Sequence, residues 1–175
     1  MSDPIIAFYL GERGAGQSDR TIEKIWQWDW ERLENVHDYI QWLFPLTERS
    51  AYNPDAPVLD EHIIERFHST DLLKSRLKRS FEVMLNFFGL QLVELVDGQI
   101  RVDQGNRFNE RGENWISARK HNHLRLTRIL ASTRTLGLEQ YSLALFRCLE
   151  SIYHNRRDEI SQTTYQFWKR AALGD

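Results

Sequence analysis

Two Glu-x-x-His units, Glu34-Asn-Val-His37 and Glu65-Arg-Phe-His68, are the sharpest chemical signal in the chain. A carboxylate and an imidazole three residues apart share one helix face, and two such helices supply half of a carboxylate-bridged di-metal site. The other half needs two more inward-facing glutamates, for which Glu82 and Glu150 are the only tempting donors. His121 and His123 flank Asn122 at what reads as a helix start and nominate no third ligand, so capping suits them better than metal binding. The chain has no CxxC, HExxH or GxGxxG and no nucleophile-elbow serine. No catalytic residue, cofactor or metal is therefore expected, and a metal-dependent enzyme using Glu34, His37, Glu65 and His68 stands as the second alternative.

The segment from Arg101 to Arg134 interleaves Arg107, Arg111, Arg119, Lys120, Arg125 and Arg128 with Phe108 and Trp115. Arginine mixed with aromatics can neutralise phosphates and stack bases. A nucleic-acid-binding helical domain is thus the first alternative, carried by Arg107, Arg111, Trp115, Arg119 and Lys120. The structural reading is that Arg125 and Arg128, one helical turn apart beside Leu124 and Ile129, pair with acids such as Asp38. Cys148 sits on an apolar face with Leu145 and Leu149 and reads as core, not as a catalytic thiol.

These residues must be positioned by helices. GERGAGQSD lacks the GK[ST] ending of a phosphate loop and reads as a flexible loop over 11–18. From Asp19 or Thr21 as N-cap, Ile22, Ile25, Trp26, Trp28 or Trp30, and Leu33 predict one helix, and a second covers Val36 to Phe44, stopped by Pro45 with Trp42 off its core stripe. Residues 47–59 read as a surface connection. Asp60 caps a short helix to Phe67, and Ser69 or Thr70 opens a longer one carrying Leu73, Leu77, Phe81, Met84, Leu85 and Phe88, ended by Gly89. A β-hairpin is expected near 90–103 around Asp97-Gly98, followed by an irregular 106–112. Helix resumes near Trp115 or Asn122, with Leu124, Ile129, Leu130 and Leu136 as core and Gly137 at its end. Two more run from Glu139 to His154 and from Asp158 to Ala172, the last with Ile160, Tyr165, Phe167 and Trp168. The expected fold is mainly α, one domain over 1–175, an irregular bundle of about six to seven helices with one small hairpin.

At 175 residues, with 41% hydrophobic and 12% aromatic residues, the chain can bury a substantial core and lacks the signature of disorder. Net charge is −2, but residues 1–65 hold five Lys/Arg against thirteen Asp/Glu while residues 66–135 hold thirteen against seven. Such sorting could present a basic face or simply let the two parts neutralise each other. No apolar run reaches a membrane span and the first residues, MSDPIIAFYL, do not form a secretory signal. With a single cysteine, a cytoplasmic protein without integral membrane association is expected.

HDYIQWLFPL at 37–46 and HNHLRLTRIL at 121–130 resemble the two signature segments of the opioid growth factor receptor conserved domain. Supporting similarity lies in Phe8-Tyr9, Leu33-Glu34, FEVMLNFFGLQL at 81–92, Asn114-Trp115 and LGLE at 136–139, so the resemblance spans about residues 5 to 170. Departures are His123, where the family commonly has Asn, His68, which has no counterpart, and the missing repeat tail and nuclear-targeting basic runs of the animal receptors. The chain is similar in these respects to compact microbial members. The resemblance implies a mainly helical fold and a noncatalytic binding or receptor-like domain whose ligand is a peptide or protein, in animals an enkephalin peptide. On that reading His37, Asp38, Gln41 and Trp42 face Asn122, Arg125 and Arg128 and line a polar pocket with an aromatic wall, where arginine takes a carboxylate or phosphate. The alternative is structural, with Trp42, Leu43, Phe44 and Pro45 burying area and Asn122 capping its helix.

Overall fold

The computed structural model describes residues 3–117 and 120–174, with Lys120 described by its backbone alone. The fold is mainly α: among the described residues there are ten helices and one two-stranded antiparallel sheet. The helices beyond the expected six or seven are short, five or six residues each: α2 and α3 divide one expected helix, and α1 and α7 form where none was expected. The chain divides into two compact units, 1–80 and 81–175.

The first unit opens with α1 (Pro4–Tyr9), where Asp3 is the N-cap, its Oδ1 accepting from the Ile5 amide at 2.8 Å, and Pro4 takes the first helical position. Aspartate before proline is a helix start because the cap oxygen satisfies an orphan amide and proline has none to lose. The expected helix from Thr21 to Leu33 is two: α2 (Ile22–Trp26) and α3 (Trp30–Asn35). Asp29 divides them. Its backbone is extended and its carboxylate accepts from the Arg32 amide at 2.8 Å, so it starts a helix where the periodicity would have run on. The expected second helix shrinks to α4 (Ile40–Leu43), since Val36 is already extended, while α5 (Glu61–Ser69) is capped by Asp60 as expected. Residues 11–18 form hydrogen-bonded turns over a buried Ala15, with the Ala15 amide on the Arg20 carbonyl at 3.0 Å.

The core of this unit is aromatic. Phe8, Tyr9, Tyr39, Phe44 and Phe67 are inaccessible, each contributing roughly 1.5–3 kcal/mol by burial. Their hydroxyls are satisfied: Tyr9 donates to the Leu43 carbonyl and Tyr39 to that of Leu33 at 2.9 Å. Trp42, expected off the core, is buried edge-on against Phe8 at 5.4 Å. A ring of that area is stabilising only where it leaves water, and the short α4 turns it inward.

Helix α6 (Asp71–Phe87) ends at Gly89, whose φ of 76° needs glycine and which leads into β1 (Leu90–Glu94). Strand β1 pairs with β2 (Ile100–Gln104), Leu92 opposite Val102. The turn closes with the Gly98 amide on the Leu95 carbonyl at 2.9 Å and Gly98 at φ 80°, a three-residue loop with Gly in the left-handed position. The stretch expected to be irregular holds α7 (Phe108–Gly112). Helices α8 (Lys120–Thr135), α9 (Glu139–Asn155) and α10 (Gln162–Leu173) pack on one another, and β2 packs on α9. Ser161 caps α10, so that helix starts later than Asp158. Leu124, expected in the core, is 50% exposed, as is Phe167; the buried positions described in α8 are Asn122, His123, Arg125, Leu126, Ile129, Leu130, Ser132 and Thr133.

Candidate functional site

In the second unit a buried basic cluster grows around Phe87. Arg111, 9% exposed, is carried by α7, donates from Nε to the Phe87 carbonyl at 2.9 Å and sets its guanidinium 5.1 Å from the Phe87 ring centre. Arg125 on α8, 4% exposed, stands 5.9 Å from the same ring and donates to Asn122 Oδ1 at 3.3 Å. The shared aromatic face offsets part of the desolvation of two guanidinium groups. Arg128, one turn on, is half-buried, and burial pushes its guanidinium down from its ordinary pKa.

Asn122 is fully buried two residues inside α8, so it organises Arg125 instead of capping the helix. His123 lies beside it, its Nε2 2.7 Å from the Trp115 carbonyl. A carbonyl only accepts, so that nitrogen is the protonated one, and burial holds the ring's pKa below the usual value. The Trp168 indole donates to the His123 carbonyl at 3.2 Å, and that of Trp115 to the Phe88 carbonyl at 3.0 Å.

His37, Asp38, Gln41 and Trp42 belong to the first unit. His37 and Asp38 are exposed, while Gln41 is buried, its amide nitrogen turned toward the carbonyls of His37 and Asp38 at 3.2 Å. Asp38 pairs with Arg20 through two 2.7 Å bonds, so the acid expected beside Arg125 and Arg128 is engaged by a different arginine. That pair raises the Arg20 pKa and holds Asp38 below the usual carboxylate range.

The nucleic-acid set does not present a stacking face. Trp115 is 1% exposed and Arg111 is buried, so neither offers itself to a base, and Arg107 pairs with Glu110 at 3.0 Å. Arg119 and the Lys120 side chain lie outside the described residues. Of the Glu-x-x-His units, Glu65 and His68 share α5, but Glu34 is in α3 and His37 lies beyond its extended end, which removes the common helix face. Among the described residues there is no group of three or more His, Cys, Asp or Glu able to hold a metal. Cys148 is 9% exposed, and burial raises its thiol to about 12.

Two concavities escaped the sequence reading. In the second unit a groove of about 640 Å³ runs between β2 and α9, lined by residues including Arg101, Val102, Asp103, Ala144, Arg147 and Cys148. In the first unit a hollow of about 430 Å³ is lined by Asp19, Arg20, Lys24, Gln27, Trp28 and Arg32. The i, i+4 spacing of Trp28 and Arg32 was the one available signal for the second; the groove had none, since it joins residues over 40 positions apart.

The chain matches the family model described as the opioid growth factor receptor (OGFr) conserved region over residues 4–173. It is 34% identical over 168 residues to the opioid growth factor receptor of Mus musculus, covering 93% of this chain and 26% of that protein. It is 37% identical over 147 residues to that of Homo sapiens, covering 82% and 21%. With the opioid growth factor receptor-like protein 1 of Xenopus tropicalis it shares 34% over 168 residues, 93% of the chain and 32% of the relative. The chain thus spans about a quarter of the curated receptors it matches. No solved structure matches it. Both signature segments and the helices that carry them fall within the matched span, and the chain belongs to the opioid growth factor receptor conserved-region family.

Proposed function

We propose that this chain is a noncatalytic, receptor-like binding domain whose ligand is a peptide or a protein. The observation that carries the reading is the similarity of nearly the whole chain to proteins named as receptors. The groove between β2 and α9 supports it: its roughly 640 Å³ falls in the range of ligand-sized clefts, and its lining mixes Val102 and Ala144 with Arg101, Asp103 and Arg147. Of the ligand-contact set, exposed His37 and Asp38 and half-buried Arg128 are the members a ligand can reach without repacking a core, Asp38 being already engaged by Arg20. Among the described residues no helix is long and apolar enough to cross a membrane.

Isothermal titration of the purified chain with an enkephalin pentapeptide is the test, with a scrambled pentapeptide as control. Saturable heat with one site per chain, absent for the scrambled sequence, is the expected result. Equal heats for the two peptides would refute a sequence-specific peptide site of this class.

A further inference from the structure

In the first unit, Arg32 is a cation held in place with no counter-ion among the described residues. Asp29 starts α3 and so puts Arg32 in its first turn, from where the guanidinium lies over the Trp28 ring at 4.3 Å. Trp28 is braced in turn by Tyr39, edge-on at 5.3 Å. Arg20 is fixed by Asp38 and by the Ser18 hydroxyl at 2.7 Å, and Lys24 by Asp19 at 2.8 Å. Two cations of the hollow are therefore matched one to one by acids. The Arg32 side chain has no ion pair or hydrogen bond among the described residues, and neither has the side-chain amide of Gln27.

A guanidinium resting on an indole has already lost much of its rotamer freedom, while its N–H fork stays open to solvent. Such a fork matches two oxygens of a carboxylate or phosphate, and the bond is charge-assisted. Lys24, with hydrogens beyond the one given to Asp19, and the Gln27 amide add donors to the same lining, whose only carboxylate belongs to Asp19. A single uncompensated charge in about 430 Å³ suits a headgroup, not the backbone of a polymer. We infer that the hollow formed by Arg20, Lys24, Gln27, Trp28 and Arg32 binds an oxyanion headgroup, a phosphate or a carboxylate, of a small ligand. This site shares no lining residue with the β2–α9 groove and stands whether or not the chain binds a peptide.

The test is an NMR titration of the full chain with sodium phosphate and, separately, sodium acetate, with chloride holding ionic strength constant. The Trp28 indole N–H and the amides of residues 27–32 are followed. The expected result is a saturable shift with a dissociation constant on the order of 1 mM, corresponding to about 4 kcal/mol. Arg32→Gln is expected to weaken it about tenfold, as loss of one charge-assisted hydrogen bond would. Arg32→Lys, which keeps the charge without the fork, is expected to recover only part of the affinity, and Arg157→Gln in the other unit to change nothing. Tighter binding of phosphate assigns a phosphate ester as the natural headgroup, and tighter binding of acetate a carboxylate. Shifts that never saturate, or an Arg32→Gln protein that binds as the parent does, would overturn the site. Trp28→Leu provides a second variant, expected to lose affinity while every charge remains; unchanged binding there would overturn the role of stacking.

Discussion

Gly89 and Gly98 allow a steric contact to be measured apart from backbone strain. Both have φ near 80°, 76° and 80° respectively, so alanine at either pays the same left-handed penalty, roughly 1–2 kcal/mol. The same loss of unfolded-chain freedom accompanies both changes and cancels in the comparison. Their surroundings differ. A Cβ on Gly98 meets nothing within 4 Å, whereas on Gly89 it stands 2.8 Å from the Phe108 Cα and 2.8 Å from the Arg111 Cβ. Backbone cannot swing aside as a side-chain tip can, so α7 must move. Overpacking of this kind costs a further 1–3 kcal/mol or so, which puts Gly89→Ala at roughly 2–5 kcal/mol against roughly 1–2 for Gly98→Ala. Urea unfolding of the two variants and the parent, followed by far-ultraviolet circular dichroism, measures the difference as a shift in midpoint at constant slope. The displacement of α7 should also loosen Arg111 from the Phe87 carbonyl, so the Gly89 variant alone should show faster exchange of the Arg111 Nε proton. Equal losses for the two variants would refute the argument, because only strain would then be at work.

His123 should make stability pH-dependent. Its folded pKa lies below the ordinary value of about 6.5, so as pH falls the unfolded chain binds the proton first; the contribution is complete above about 6.5 and is lost below it. His123→Asn should therefore lag the parent at pH 7.5 and close the gap by pH 5, as read from melting temperatures, and a gap that widens on acidification would contradict the assignment. Asp29→Ala removes the cap of α3 and should cost about 1 kcal/mol in urea, with Asp29→Asn near neutral. No loss with alanine would mean that the α2–α3 break is held by packing alone. Cys148, buried with its thiol near 12, should resist a disulfide reagent at pH 8 until urea opens the second unit; prompt labelling in native buffer would show the site to be open.

What could be read in advance was periodic and long. Helices α6 and α9 run 17 residues each, their apolar positions repeat over several turns, and Gly89 and Gly137 mark ends by a conformation other residues avoid. The short α1 and α3 each start at a single cap, so Asp3 and Asp29 changed the outcome where hydrophobicity was silent. Helix α8 shows the limit for sites. Its buried stripe runs through Asn122, Leu126, Ile129, Leu130 and Thr133, with His123 and Arg125 buried beside it, so polar residues occupy inside positions and Leu124 is left outside. A pattern scored by apolarity shifts such a stripe. The partner of Arg20 is 18 residues away, and that of Arg111 24; neither distance leaves a local trace.

The six tryptophans are divided four and two between the units, and this gives the molecule an optical asymmetry. Trp115 and Trp168 are the whole complement of the second unit, both sealed from water and 6.5 Å apart, with the His123 ring 5.6 Å from Trp168. Indoles in such surroundings emit at short wavelength, exchange excitation with each other and are quenched when a neighbouring imidazole becomes cationic. Trp26, Trp28 and Trp30 of the first unit are partly exposed and emit further to the red. Trp42, the fourth indole of the first unit, is buried and emits to the blue with Trp115 and Trp168, so the red edge of the emission band reports on residues 1–80 alone, and in a Trp42→Phe protein the blue edge reports on residues 81–175, which lets the order in which the two halves lose structure be followed without a label.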